Sequence, residues 1–142
     1  GVTGVQTCAL PISDFFSGKP YINRGISGQT TPQMLVRFRA DVIALKPEIV
    51  VILAGINDIA GNTGPSTLDM IKDNIFSMAE LAKANHIKVI LCSVLPAYDF
   101  PWKPNQNPAG KVVALNEMIK EYAEANKMVY LDYQVRHLKA LL

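Results

Sequence analysis

The residues best placed to do chemistry are Asn57 and Asp58. They close the stretch Glu48-Ile-Val-Val-Ile-Leu-Ala-Gly-Ile-Asn-Asp58. Ile49 to Leu53 is an unbroken aliphatic run, mostly β-branched and too short for a helix, as expected of a strand buried on both faces. In an open α/β sheet, ligands bind at the carboxyl ends of the strands. Two polar residues following such a strand therefore stand where a reaction can be run. The alternative is that Asn57 and Asp58 only shape the turn, as Asn and Asp often do. A second loop, Gly25-Ile-Ser-Gly28, is expected to open on the same edge of the sheet. Gly28 allows a close backbone approach and offers its N–H, and Asn57 can donate from its side-chain amide. One backbone N–H and one Asn amide together make the donor set of an oxyanion hole, which stabilises the tetrahedral intermediate of acyl transfer.

Both loops depend on the elements that carry them. Tyr21-Ile22-Asn23 reads as a short strand running into the Gly-rich turn. Thr31 is expected to cap a helix that holds Pro32 in its first turn and Leu35, Phe38, Val42 and Leu45 along one face. Lys46-Pro47 ends that helix before the buried strand. After a loop rich in Gly, Asn and Thr, Ser66 and Asp69 approximate a capping box. It opens a second helix with Leu68, Ile71, Ile75, Met78 and Ala82 inward. Lys88 to Val94 is another buried strand, and a proline-broken, aromatic loop follows from Tyr98 to Asn107. Asn107 and Pro108 start a third helix, with Val112, Leu115, Ile119 and Tyr122 as its buried stripe. Met128 to Asp132 is the last strand. This alternation specifies an α/β fold, a parallel sheet with helices on both faces.

Composition narrows the function classes. The 142 residues are 49% hydrophobic and 18% charged with a net charge of +2, which is an ordinary globular balance. Lys and Arg are scattered singly, without the basic stripe of a nucleic-acid partner, and no apolar run approaches the ~18 residues of an integral membrane span. The two histidines and two cysteines, Cys8 and Cys92, do not form a metal constellation, so neither a metal nor another cofactor is expected. Cys92 reads as a small buried strand residue.

The two loops also carry a resemblance. Asn23-Arg-Gly-Ile-Ser-Gly-Gln-Thr-Thr31 resembles the second sequence block of the SGNH (GDSL-type) hydrolases, and Gly55-Ile-Asn-Asp58 resembles their third, Gly-x-Asn-Asp. One helix and one strand separate them, as in that family, and the likeness runs from about Asp14 to about Tyr133. It implies a three-layer α/β/α sandwich, the flavodoxin-like SGNH hydrolase fold, that cleaves acyl or acetyl esters of lipids or carbohydrates through a serine acyl-enzyme. Carried over residue by residue, Gly28 and Asn57 are the oxyanion-hole donors, while Gly55 and Asp58 are structural residues beside the site. Tyr98 and Trp102 are candidate substrate-binding residues, with a packed surface loop as the alternative. Asp99 is assigned no role. The partner implied is a small-molecule ester. Oligomeric state and compartment are left open.

Other parts of the family pattern are missing. No Gly-Asp-Ser occurs, and Ser13, Ser17, Ser27, Ser66, Ser77 and Ser93 all lack a nucleophile's context, including Gly-x-Ser-x-Gly. No Asp-x-x-His occurs; Asp132 and His137 are spaced too widely, and His86 reads as a helix-end residue. Residues 2–12 have no helical or strand periodicity and resemble a translated sequencing adapter. Residues 1–13 are accordingly read as an artefactual segment and 14–142 as a partial hydrolase domain. The first strand is then expected to be missing or replaced, the chain to be a catalytically inactive fragment, and its tail after Tyr133 to be cut short. The rival reading is a non-catalytic α/β module that binds a small ligand or partner at the same edge.

Overall fold

The computed structural model describes residues 2–6, 18, 20–101 and 103–133. Its strands are β1 (Val2–Gln6), β2 (Tyr21–Asn23), β3 (Ile49–Leu53), β4 (Lys88–Cys92) and β5 (Val129–Leu131). They form one parallel sheet in the order β2-β1-β3-β4-β5. This is the doubly wound order in which the connections reverse direction at β1, and the crevice there is where such sheets bind ligands. The helices are α1 (Thr31–Asp41), the single turn α2 (Ile56–Ile59), α3 (Leu68–Ala84) and α4 (Ala109–Ala125). From β2 onward every connection steps the same way along the sheet. Right-handed crossovers therefore put α1, α3 and α4 on one face, where α1 packs on α3 and α3 on α4. Residues 7–17 and 134–142 lie outside the described residues.

β1 decides between the two outcomes expected for the first strand, missing or replaced. Val2–Gln6, which shows no strand periodicity in the sequence, pairs with β3 from Val2↔Ile49 to Gln6↔Leu53 and with β2 from Val2↔Tyr21 to Gly4↔Asn23. The first-strand position in the middle of the sheet is therefore filled by this segment. A strand flanked on both sides is held by its backbone N–H and C=O groups, so it needs no alternating side-chain pattern.

The core lies between the sheet and the three long helices. Val50, Ile52, Val89 and Leu91 from the strands meet Met34, Phe38, Ile71, Ile75, Met78, Val112, Leu115 and Ile119 from the helices. The stripes expected for α3 and α4 are found, and that of α1 holds at Phe38 and Val42, which are buried, and at Leu35, which packs against the core, but fails at its end. Leu45, expected inside, is 38% exposed, and Met34 and Ile43 are buried. The reason is that α1 stops at Asp41 and Ile43–Leu45 form a 3₁₀ turn, whose tighter winding breaks the 3.6-residue phase. The caps move by a residue or so. Thr30, not Thr31, forms a reciprocal capping box with Gln33, and Thr67, not Ser66, accepts the Met70 N–H at 3.2 Å. Pro108 rather than Asn107 caps α4, because Asn107 sits in the left-handed region at φ 43°.

Candidate functional site

The site is built where β2 and β3 end, on either side of the carboxyl end of β1. After Leu53 the chain turns at Gly55, whose φ of +118° is left-handed. A Cβ there would sit 2.9 Å from Leu115 Cδ2 and 3.3 Å from Ile71 Cγ2, so both conformation and space require glycine. The turn launches α2, a helical turn where the sequence suggested only a loop. It carries Asn57, 7% exposed, and Asp58, 2% exposed.

The second loop closes on the first. Gln29 N–H reaches Ile26 O at 3.4 Å across a β-turn in which Gly28 has φ +80°. Ser27 is outside the left-handed region, so the turn is type II, with Gly at its third position. Asn57 Nδ2 donates to Gln29 O at 2.9 Å, and Asn62 Nδ2 donates to Gly28 O at 3.1 Å. Gly28 and Asn57 are thus brought together by bonds between their own loops. The Gly28 N–H has no acceptor among the described residues, and a Cβ at Gly28 would meet nothing within 4 Å, so the turn faces open space. The Asn57 amide has a second N–H beyond the one given to Gln29.

Asp58 points away from this opening into a buried polar knot. Its carboxylate accepts the Thr31 N–H at 3.1 and 3.0 Å and the Thr31 Oγ1–H at 2.6 Å. The Thr31 N–H is one of the unsatisfied donors at the start of α1, where a carboxylate is favoured by the helix dipole. Asn74 Nδ2 on α3 donates to Thr31 Oγ1 at 3.2 Å, and Thr63 Oγ1 donates to Thr30 Oγ1 at 3.0 Å. Burial pushes the Asp58 carboxyl above its usual value, and the Thr31 hydrogen bonds offset part of that rise.

The proline-broken loop is tied to the same region. Asp99 accepts the backbone N–H groups of Phe100, Asn105 and Gln106 at 2.9, 2.6 and 3.1 Å. These bonds hold its carboxyl below the usual range. Phe100 is buried, and Lys103 Nζ donates to Ala60 O at 3.1 Å, reaching the end of the Asn57 loop. Tyr98 is 93% exposed, beside a small pocket of about 190 Å³ floored by Val112 and Ala97. Trp102 and His137 lie outside the described residues. Ser93 is buried, with its Oγ accepting the Tyr133 N–H at 2.8 Å, and Ser27 is exposed on the turn.

Several partnerships were not visible from the sequence. Asn62, Thr31 and Lys103 act across long sequence separations. Asn116, a polar residue beside the apolar stripe of α4, clamps Val94 through both its N–H and its C=O at 2.7 and 2.9 Å. The Asp99 bonds are local, and an Asp opening a proline-rich loop was a usable signal for them. Cys92 is a buried thiol pushed up to about 12 by desolvation, and His86 ends α3 in the left-handed region at φ 61°. A larger pocket of about 410 Å³ opens between the ends of α3 and α4, at the edge where β4 and β5 begin, opposite the two loops. Among the described residues no group of His, Cys, Asp and Glu is arranged to hold a metal ion, and no helix is long and apolar enough to cross a membrane.

A doubly wound parallel sheet, with two polar loops hydrogen-bonded to each other at its carboxyl edge and its switch point between them, defines the class as a doubly wound α/β domain. The sequence model of the GDSL-like lipase/acylhydrolase family matches residues 10–141, and the chain belongs to that family. A solved GDSL-like lipase from Bacteroides thetaiotaomicron VPI-5482 is 50% identical with a TM-score of 0.88, over 93% of this chain and 67% of that one. The uncharacterized lipoprotein YqeF of Bacillus subtilis is 33% identical over 78 residues, which are 53% of this chain and 32% of that protein. An acetylxylan esterase of Geobacillus stearothermophilus is 50% identical over 38 residues, 27% of this chain and 17% of that enzyme. The chain's matches thus span a third or less of these two curated relatives. The fold is the SGNH α/β fold of its structural relatives, and the family is one of ester hydrolases.

Proposed function

We propose that this chain carries the oxyanion-binding part of a carboxylic ester hydrolase acting on acyl or acetyl esters of lipids or carbohydrates. The observation that supports the reading best is the hydrogen bond from Asn57 Nδ2 to Gln29 O at 2.9 Å, which sets the Asn57 amide beside Gly28. In this reading an ester carbonyl enters over the Gly28 turn. As a serine oxygen adds to its carbon and its proton passes to a general base, the carbonyl oxygen gains negative charge. The Gly28 N–H and the remaining Asn57 N–H hold that charge. Collapse of the intermediate expels the alcohol, which takes that proton from the base, and water, losing a proton to the same base, then releases the acid as the serine oxygen is reprotonated. Asp58 takes no part in proton transfer and braces the start of α1.

The 142-residue chain contains neither Gly-Asp-Ser nor Asp-x-x-His, so in this reading it binds the oxyanion but does not turn over ester. The non-catalytic alternative, a small-ligand-binding module, draws on the same absence. One pair of measurements tests the proposal. The purified chain is assayed on p-nitrophenyl acetate and butyrate, and its ¹⁵N-labelled form is titrated with ethyl methylphosphonate, a tetrahedral monoanion. The expected result is no turnover, with saturable shifts at the Gly28 amide and the Asn57 side-chain amide that an Asn57→Ala variant abolishes. Turnover by the chain would overturn its inactivity. A titration that leaves both amides unmoved would overturn the oxyanion assignment.

A further inference from the structure

One residue touches both proposed donors. The backbone N–H of Asn62 donates to Asn57 O at 3.0 Å, and its side-chain Nδ2 donates to Gly28 O at 3.1 Å. We propose that Asn62 is a positioning residue that fixes Gly28 against Asn57, an inference that rests on the oxyanion reading of those two residues.

The Gly28 turn needs such a brace. Its own closing bond, Gln29 N–H to Ile26 O, is long at 3.4 Å, near the limit at which a hydrogen bond counts. Ser27 and Gly28 are both exposed, so packing does not hold the turn either. Type I and type II turns differ by a flip of the central peptide, the one that carries the Gly28 N–H. A turn free to flip points that N–H away from the opening for part of the time. Asn62 grips the next peptide plane through Gly28 O, and Asn57 grips the one after it through Gln29 O. With both carbonyls held, the type II geometry at Gly28, φ +80°, is the one that fits.

The arrangement separates positioning from folding. Asn62 is exposed, so shortening its side chain leaves no cavity in the core. Its backbone bond to Asn57 survives any substitution except proline. The next residue independently docks the same stretch, because Thr63 Oγ1 donates to Thr30 Oγ1 at 3.0 Å. Loss of the Asn62 amide therefore frees the Gly28 peptide without undocking the loop.

The test uses the full 142-residue chain, ¹⁵N-labelled and titrated with ethyl methylphosphonate, in wild type, Asn62→Ala and Asn62→Asp. Asn62→Asp keeps the shape of the side chain and removes its donor. Both variants are expected to bind the phosphonate about five- to tenfold more weakly, the scale of one hydrogen bond. Their Gly28 amide signal should broaden or move before any ligand is added, while the thermal midpoint stays within about 3 °C of wild type. If wild type binds and both variants bind equally well with an unchanged Gly28 signal, the positioning role is overturned and the oxyanion reading stands. If Asn62→Asp retains wild-type binding while Asn62→Ala loses it, the side chain acts by shape, and the donor role is likewise overturned. If wild type itself perturbs neither Gly28 nor Asn57, the oxyanion reading fails and takes this inference with it.

Discussion

Asp58 is a carboxylate carried into the interior and held there by Thr31. Its position was legible in the sequence, because a polar pair directly after a buried strand is conspicuous. Its partner was not legible, since Thr31 lies 27 residues earlier and the two meet only when β2 and β3 stand on either side of β1. The distinction between Asn57, bonded to the Gly28 loop, and Asp58, bonded to Thr31, also follows from α2, a single helical turn too short to leave a periodic signal. Burial raises the Asp58 pKa above its ordinary 3.8, and the sign of the consequence is fixed by linkage. The folded state prefers the protonated form, so this group's stabilising contribution is complete below its unfolded pKa and is lost as pH rises through the folded one. An asparagine in its place would keep a carbonyl acceptor for Thr31 without a charge to ionise. The Asp58→Asn variant is therefore expected to gain stability relative to wild type as pH rises across the window above 3.8, and then to run parallel to it. Urea midpoints taken between about pH 3.5 and 7 check this. A difference that does not change with pH would mean that Asp58 ionises as freely in the fold as in the unfolded chain.

At the scale of elements, the sequence read best where one element speaks for itself. The stripes Ile71-Ile75-Met78 and Val112-Leu115-Ile119 were plain because α3 and α4 are long enough to repeat their period. The end of α1 was misread because a 3₁₀ turn follows it, and three residues leave no phase to read. Gly55 shows the same divide. A glycine after a strand signals a turn, but the contact that makes it irreplaceable comes from Leu115, 60 residues further along. Gly28 provides the control. Both glycines are left-handed, yet a Cβ at Gly28 meets open space and one at Gly55 meets Leu115 Cδ2 at 2.9 Å. Gly28→Ala should therefore cost only the backbone strain, about 1–2 kcal/mol. Gly55→Ala adds overpacking and should cost about 2–5 kcal/mol in total. Urea unfolding with unchanged m-values measures both. Equal losses would show that Leu115 and α4 give way at no cost, and that Gly55 is held by conformation alone.

At the scale of the whole molecule, the strand at the centre of the sheet was expected to be missing or replaced, and the residue pattern alone did not show which. Val2–Gln6 carries no alternation, and a strand that takes its place through backbone bonds on both edges leaves little side-chain pattern to read. Its structural weight is nonetheless large. β1 pairs along its full length with β3 and over Val2 to Gly4 with β2, so its loss would bare facing edges of both strands. Unpaired N–H and C=O groups inside a sheet are costly, and the gap cannot close easily. Strands stand about 4.8 Å apart, and drawing β2 against β3 by that distance would break the bonds that join the two loops above β1. Those include Asn57 to Gln29, Asn62 to Gly28 and Thr31 to Asp58. A chain lacking residues 1–6 therefore faces two poor choices: an open sheet with the loops docked, or a closed sheet with the candidate site pulled apart. The expected outcome is loss of cooperative thermal unfolding and self-association through the bared edge of β3, read by circular dichroism and by light scattering on a sizing column. A truncated chain that stays monomeric, melts cooperatively at the wild-type midpoint and still shifts its Asn57 amide with ethyl methylphosphonate would show that β2 and β3 hold the two loops together without β1.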